Sequence, residues 1–181
     1  MFTEDFTTIV YCYGSTWQPI FDDILKVKPN IIFKEGLPTE DELGLLSNNH
    51  EHSCLILDDL MTEINASKHI EKLWSVHSHH FRMSVIYLTH NMYQKSPSAR
   101  TISLNTKYYI IFKNHRDFQQ IQCFARQIYG NKSGSFDRAY QLATARPWGY
   151  LLVDLNSNSE DKYRLRTNIF PTEDTIVYVP T

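Results

Sequence analysis

The chain has 181 residues, of which 42% are hydrophobic and 13% aromatic, enough to bury one domain-sized core and too apolar for a disordered or fibrous chain. Lys and Arg number 18 against 20 Asp and Glu, giving a net charge of −2 and a pI near 6.4, so no global basic field draws the chain onto nucleic acid or an acidic membrane. Its longest apolar runs, at residues 108–112 and 150–153, fall short of the ~18 residues of a membrane span, and residues 1–6 lack the basic and apolar regions of a secretory signal. A soluble, non-secreted protein without a membrane partner is expected. Cys12, Cys54 and Cys123 are odd in number and set in apolar surroundings, which reads as free thiols in a reducing compartment, cytoplasmic or nuclear.

In chain order, residues 7–13 read as a buried strand stopped at Gly14, and residues 17–28 as a helix with Trp17, Ile20, Phe21, Ile24 and Leu25 on one side. Residues 30–33 make a short strand. Thr39 with Glu42 three residues later is a capping-box pattern that opens a second helix. Residues 53–57 are a continuous apolar strand closed by Asp58 and Asp59, followed by a helix over 67–80 bearing Ile70, Leu73, Trp74 and His77, and by a strand over 83–88. A polar connection containing Pro97 leads to a strand at 108–112 and a helix at 116–129. Residues 130–134 read as a turn, 136–146 as a helix ended by Pro147, and the runs 150–155 and 164–169 as an antiparallel hairpin at a sheet edge. Alternation of apolar strands with helices predicts one α/β domain over 1–181, built on a mainly parallel sheet.

The sharpest chemical signal is the apolar strand that ends in Asp58-Asp59. Open α/β sheets bind ligands outside the carboxyl ends of their strands, and a carboxylate pair there can hold Mg²⁺ through water and orient an attacking water. In nucleotide hydrolases this is the Walker B arrangement, the first carboxylate facing the metal and the second polarising the water. The competing reading is a cap for the next helix. The next strand leads into Thr89-His90-Asn91, where an amide can sense the γ-phosphate or simply start a turn.

With these motifs go Ser78-His-His, Ser98-Ala-Arg-Thr-Ile-Ser-Leu-Asn, Phe112-Lys-Asn, Ala125-Arg-Gln, Gly149-Tyr-Leu-Leu and Leu165-Arg-Thr-Asn-Ile-Phe, in that order. From Ile9 to Phe170 the chain resembles the FtsK/HerA-type DNA-packaging ATPases of double-stranded DNA viruses and Maverick/Polinton-type elements. The resemblance implies a P-loop NTPase three-layer sandwich, ATP and Mg²⁺ as cofactors, and a homo-oligomeric ring translocating double-stranded DNA in cytoplasm, nucleus or virion. It implies Asp58 and Asp59 as Walker B, with Asp58 on the metal through water, and Asn91 as the sensor at the nucleotide. Arg100 is implied as an arginine finger reaching a neighbour's nucleotide, a task that suits a permanent charge on a planar fork, and Arg126 is a second candidate. A surface ion pair is the alternative for both.

The pattern Gly-x-x-x-x-Gly-Lys-[Ser/Thr], whose backbone N–H groups cradle phosphate, is nowhere in the sequence, and Gly130-Asn-Lys-Ser133 follows a helix and lacks the Gly-Lys pair. In the resembled family the phosphate loop precedes the strand at Ile9, so the chain is expected to start after it and to lack one strand. That strand belongs between the strand leading to Asn91 and the strand beginning at Tyr108, whose backbone groups must then pair elsewhere. Little or no ATP turnover by the chain alone is the corresponding expectation, with a non-catalytic scaffold in oligomer or DNA binding as the alternative. Lys107, Lys113, Arg116, Arg164 and Arg166 are the cations available for a local DNA patch. A carboxylate-centred metal hydrolase using Asp58, Asp59 and Asp154 is a further alternative. His50, His52, His69, His77, His79 and His80 lack zinc spacing, no Gly-x-Ser-x-Gly elbow occurs, and Tyr108, Tyr109 and Phe112 are spaced as core residues.

Overall fold

A computed structural model describes residues 5–14, 16–48, 52–67, 70, 72–74, 82–93 and 96–180. The chain divides into two compact units, Met1–Asn105 and Thr106–Thr181.

In the first unit, β1 (Thr8–Tyr13), α1 (Pro19–Val27), β2 (Ile31–Glu35), α2 (Glu40–Asn48), β3 (Ser53–Asp58), α3 (Met61–Ala66), β4 (Met83–Leu88) and α4 (Pro97–Asn105) follow one another. The four strands form a parallel sheet in the order β2-β1-β3-β4. Successive β1 side chains point to opposite faces, and the two faces carry separate cores. Val10 and Cys12 pack with Leu43 of α2, Leu55 and Leu57 of β3, Ile64 of α3, Ile102 of α4 and the buried Ile70, Leu73 and Trp74. On the opposite face Tyr11 packs with Phe21 of α1 and Ile31 of β2. Phe21 is fully buried in an aromatic cluster, 4.7 Å from the Phe33 ring and 5.2 Å from that of Tyr11. Burying a side chain of this size contributes about 3 kcal/mol.

The capping box at the head of α2 forms as the spacing predicts: the Thr39 amide donates to Glu42 Oε2 at 2.7 Å, and the Glu42 amide donates to Thr39 Oγ1 at 3.3 Å. Glu42 also accepts from Lys34 Nζ at 2.8 Å, and that bond, with the Thr39 amide, holds its carboxyl below the ordinary carboxylate range. Two helices depart from the sequence reading. Met61–Ala66 is helical, and the connection containing Pro97 is the helix α4, with proline as its first residue, where the missing N–H costs no bond. Of the helix expected over 67–80, Ile70, Leu73 and Trp74 are buried as expected, while His77, His79 and His80, like His50 and His69, lie outside the described residues.

The second unit holds β5 (Tyr108–Phe112), α5 (Phe118–Tyr129), α6 (Ser133–Ala143), β6 (Tyr150–Asp154), β7 (Leu165–Thr167) and β8 (Ile176–Tyr178). Its strands form a second sheet, wholly antiparallel, in the order β5-β6-β7-β8. The expected hairpin is present as β6 and β7, but β6 lies between two strands and is buried along its whole length. The α/β class therefore holds, with the strands shared between a parallel and a separate antiparallel sheet. Asp117 caps α5 through the Gln120 amide, and Ile121, Phe124 and Ala125 of α5 and Phe136, Ala139, Tyr140 and Ala143 of α6 are buried. Residues 130–132 form a short 3-10 turn that leads directly into α6. Among the described residues no helix is long and apolar enough to cross a membrane.

Candidate functional site

Strand order β2-β1-β3-β4 places β1 between the strands that follow and flank it, so the chain reverses its winding between β1 and β3. Open parallel sheets bind ligands at the carboxyl ends of the strands on either side of such a reversal. The residues there are Tyr13 and Gly14 from β1 and Asp58 and Asp59 from β3, with Tyr13 directly paired to Asp58. The sequence signal and the topology thus converge on the same sheet edge.

Asp58 is half-buried, and its Oδ2 accepts the Tyr11 hydroxyl at 2.8 Å. The contact follows from register: Tyr11 pairs with Ile56, and residues two apart in a strand share a face, so the long tyrosine side chain reaches along β3 to the next position. Burial first, then the hydrogen bond and charge of Asp58, push the Tyr11 hydroxyl well above its ordinary range. It stays a proton donor at neutral pH and holds one carboxylate oxygen of Asp58 in place. Nothing in the sequence motif marks Tyr11; only the strand register does.

Asp59 differs in every respect. It is exposed, its backbone is left-handed at φ 54°, and its carboxylate makes no hydrogen bond or ion pair among the described residues. A Cβ on Gly14 would approach the Asp59 carbonyl oxygen to 3.1 Å, so glycine lets the end of β1 lie close against this turn. The N-cap of α3 is Leu60, with no side-chain cap, so neither aspartate serves the capping role that competes with the catalytic one. A left-handed non-glycine backbone carries a local conformational cost. Asp59→Gly is expected to unfold at the same denaturant concentration as the parent or higher, because glycine enters the left-handed region freely, whereas Asp59→Val is expected to lose about 1–2 kcal/mol. A glycine variant weakened by that amount would mean that the carboxylate supports the fold after all.

Asn91 lies three residues beyond Leu88, the partner of Asp58 across the β3–β4 ladder, and so at the same sheet edge. Its Oδ1 accepts the Tyr93 amide at 2.9 Å, and its own amide donates to Thr89 Oγ1 at 3.2 Å. The turn-forming role is thus present, and it takes up the side-chain oxygen. Arg100 is exposed on α4, and among the described residues no hydrogen bond or ion pair joins it to Asp58, Asp59 or Asn91. Arg126 lies on the exposed side of α5, where its Nε donates to the Gln122 carbonyl at 3.3 Å.

Asp154 does not belong to a metal centre. It is 3% exposed, its Oδ1 accepts the Asn156 amide at 3.0 Å, and its Oδ2 accepts Ser159 Oγ at 2.8 Å and Arg166 Nη2 at 2.6 Å. Every oxygen is committed, which removes the support for a three-aspartate hydrolase. The same contacts take Arg166 out of the cation patch, and Arg164 is bound to Asp161 at 2.8 Å and to the Asp154 carbonyl at 3.0 Å. Lys107, Lys113 and Arg116 remain exposed.

Family models, curated proteins and solved structures were each compared with the chain. None matches.

Among the described residues no cluster of three His, Cys, Asp or Glu can enclose a metal, and Asp58 offers one carboxylate oxygen not engaged by Tyr11. That donor set suits Mg²⁺ held through its water shell, since this ion keeps several waters and takes one or two carboxylates. A triphosphate is not served in the same way, because no Gly-x-x-x-x-Gly-Lys-[Ser/Thr] segment exists in the 181 residues to cradle it. Cys12 and Cys54 are buried and Cys123 half-buried, all as free thiols. Burial pushes the Cys12 and Cys54 thiols up to about 11, which leaves them protonated and unreactive.

Proposed function

We propose that this chain is the Walker B-bearing part of a DNA-packaging ATPase of the FtsK/HerA type, and that it does not hydrolyse ATP alone. The observation that carries the reading is Asp59: a carboxylate with no hydrogen bond or ion pair among the described residues, held out by a left-handed backbone at the switch point of a parallel sheet, beside an Asp58 oriented by Tyr11. In this reading Asp58 holds Mg²⁺ through water and Asp59 polarises the attacking water, while Asn91 senses the nucleotide. Arg100, exposed on α4, reaches the nucleotide of a neighbouring subunit in a ring on double-stranded DNA.

The test is steady-state ATP hydrolysis with Mg²⁺. The chain alone is expected to match buffer, and a fusion that adds a strand and phosphate loop ahead of residue 1 is expected to gain turnover that falls roughly 100-fold or more in Asp59→Asn. Robust, Asp59-dependent hydrolysis by the unfused chain would overturn the proposal. The missing cradle also favours a second reading, a non-catalytic scaffold, which predicts a fusion with no Asp59-dependent turnover.

A further inference from the structure

The Thr106–Thr181 unit carries a cleft of about 420 Å³ lined by Lys113, Asn114, His115, Phe118, Tyr140 and Gln141, with Thr144 and Ala145 completing it. Its size falls within the range of small-molecule sites. Lys113, Asn114 and His115, consecutive in the loop between β5 and α5, supply much of its polar wall, and Arg116 follows them in that loop. Lys113, His115 and Arg116 are exposed, and among the described residues none of the three makes an ion pair. The lining contains no acidic side chain.

The floor is aromatic and preformed. Tyr140 is 3% exposed, and its hydroxyl is fully employed, donating to the Phe112 carbonyl at 3.2 Å and accepting the Asn114 amide at 2.9 Å. Phe118, 37% exposed, lies 6.1 Å from the Tyr140 ring and leaves part of its face to solvent. Asn114 Oδ1 accepts the amides of Arg116 and Asp117 at 2.9 and 3.1 Å, which fixes the side-chain amide and leaves its NH₂ as the outward donor. The Asp117 carboxylate is bound to the Gln120 amide at 3.2 Å and to Gln120 Nε2 at 2.6 Å, so the end of α5 is already capped.

We propose that this cleft binds single-stranded nucleic acid, one unpaired base stacking on Phe118 and the adjoining phosphates resting on Lys113, His115 and Arg116. A positively charged rim with an exposed aromatic face is the arrangement by which proteins hold single strands, since every base has a face to stack and every diester a charge. Asn114 and Gln141 offer amide groups to the base edge. Stacking on Phe118 requires a base with a free face, which a single strand offers and the interior of a duplex does not. Lys113 and Arg116 are both exposed on this loop, two positive charges to set against successive diesters, with His115 between them as a further polar contact. This inference rests on the second unit alone and stands or falls separately from the ATPase reading.

The test uses the full 181-residue chain and fluorescence anisotropy of a labelled 15-mer of thymidine, with a 15-base-pair duplex and ATP as competitors. Single-strand binding is expected to weaken with salt, and Lys113→Ala combined with Arg116→Ala is expected to reduce the slope of log affinity on log salt by about 1.4. Phe118→Leu keeps an apolar contact on Tyr140 while removing the ring, and is expected to weaken binding about 10-fold with unchanged thermal unfolding. Absence of binding, an unaltered affinity in Phe118→Leu, or a duplex or ATP competing as well as the unlabelled single strand would each overturn the proposal.

Discussion

Arg166→Met is expected to cost the Thr106–Thr181 unit about 3–5 kcal/mol, the penalty for leaving a buried carboxylate without its counter-charge. Asp154 stands at the end of β6, a strand buried on both faces, and is itself 3% exposed. Arg166 Nη2 reaches it at 2.6 Å from β7, the neighbouring strand. The Asn156 amide and Ser159 hydroxyl supply two further donors, but neither carries charge, so they cannot replace the guanidinium. Small domains are stable by only about 5–15 kcal/mol, so a loss of this size populates the unfolded unit measurably. Hydrogen exchange at Leu152 and Val153, whose strand pairs with both β5 and β7, reads the loss locally. Asp154→Asn in the same chain is expected to recover part of it, because the neutral amide no longer needs a cation while its oxygen still accepts. A single variant within about 1 kcal/mol of the parent would show that Asp154 takes up a proton or water in place of its partner.

The Asp154 case shows what the sequence makes legible and what it hides. Strands were readable because runs such as Cys54 to Leu57 and Tyr150 to Val153 are buried on both faces, and burial writes itself into composition. Capping chemistry was readable at Thr39 and Glu42 because both partners lie within one turn. The helices Met61–Ala66 and Pro97–Asn105 are illegible in the sequence for local reasons: the first is short and has no side-chain cap, and the second starts at a proline that also reads as a breaker. Strand direction in the second unit is a matter of counting passes. One helix between two strands carries the chain back to start a parallel strand, but α5 and α6 are two passes, and β6 therefore runs antiparallel to β5. Ile176–Tyr178, only 3 residues long, is too brief to announce itself.

The candidate site divides along the same line. Asp58 and Asp59 were visible because two carboxylates after an apolar run form a sequence-local pattern, and Gly14 because it ends a strand. Tyr11 was invisible as a partner because its bond to Asp58 spans 47 residues and depends on the parallel register of β1 on β3. Asp154 illustrates the opposite error. As a carboxylate at a strand end it resembles Asp58, but an arginine two strand positions after Arg164 turns it into a structural pair. Residue type and strand position are shared by both aspartates, and only the partner on the next strand, a tyrosine for Asp58 and an arginine for Asp154, separates them.

Gly149→Ala is expected to destabilise the second unit by about 2–3 kcal/mol, through a clash that the turn cannot absorb. A Cβ there would lie 2.5 Å from the Ala143 carbonyl oxygen and 3.0 Å from that of Arg146, and both obstacles are backbone. Moving Arg146 aside is costly, because its Nη2 holds Asn168 Oδ1 at 2.6 Å and Glu173 Oε1 at 3.0 Å, and its carbonyl accepts the Gly149 amide at 3.0 Å. Trp148, the preceding residue, supplies the contrast. It is 91% exposed with φ 60°, so it packs against little and occupies a backbone region that glycine prefers. Trp148→Gly is therefore expected to stay within about 0.5 kcal/mol of the parent, relief of strain offsetting the added freedom of the unfolded chain. Chemical denaturation of both variants checks the pair. Equal losses at 148 and 149 would mean that the turn as a whole is sensitive to any change, and the steric account of Gly149 would fail.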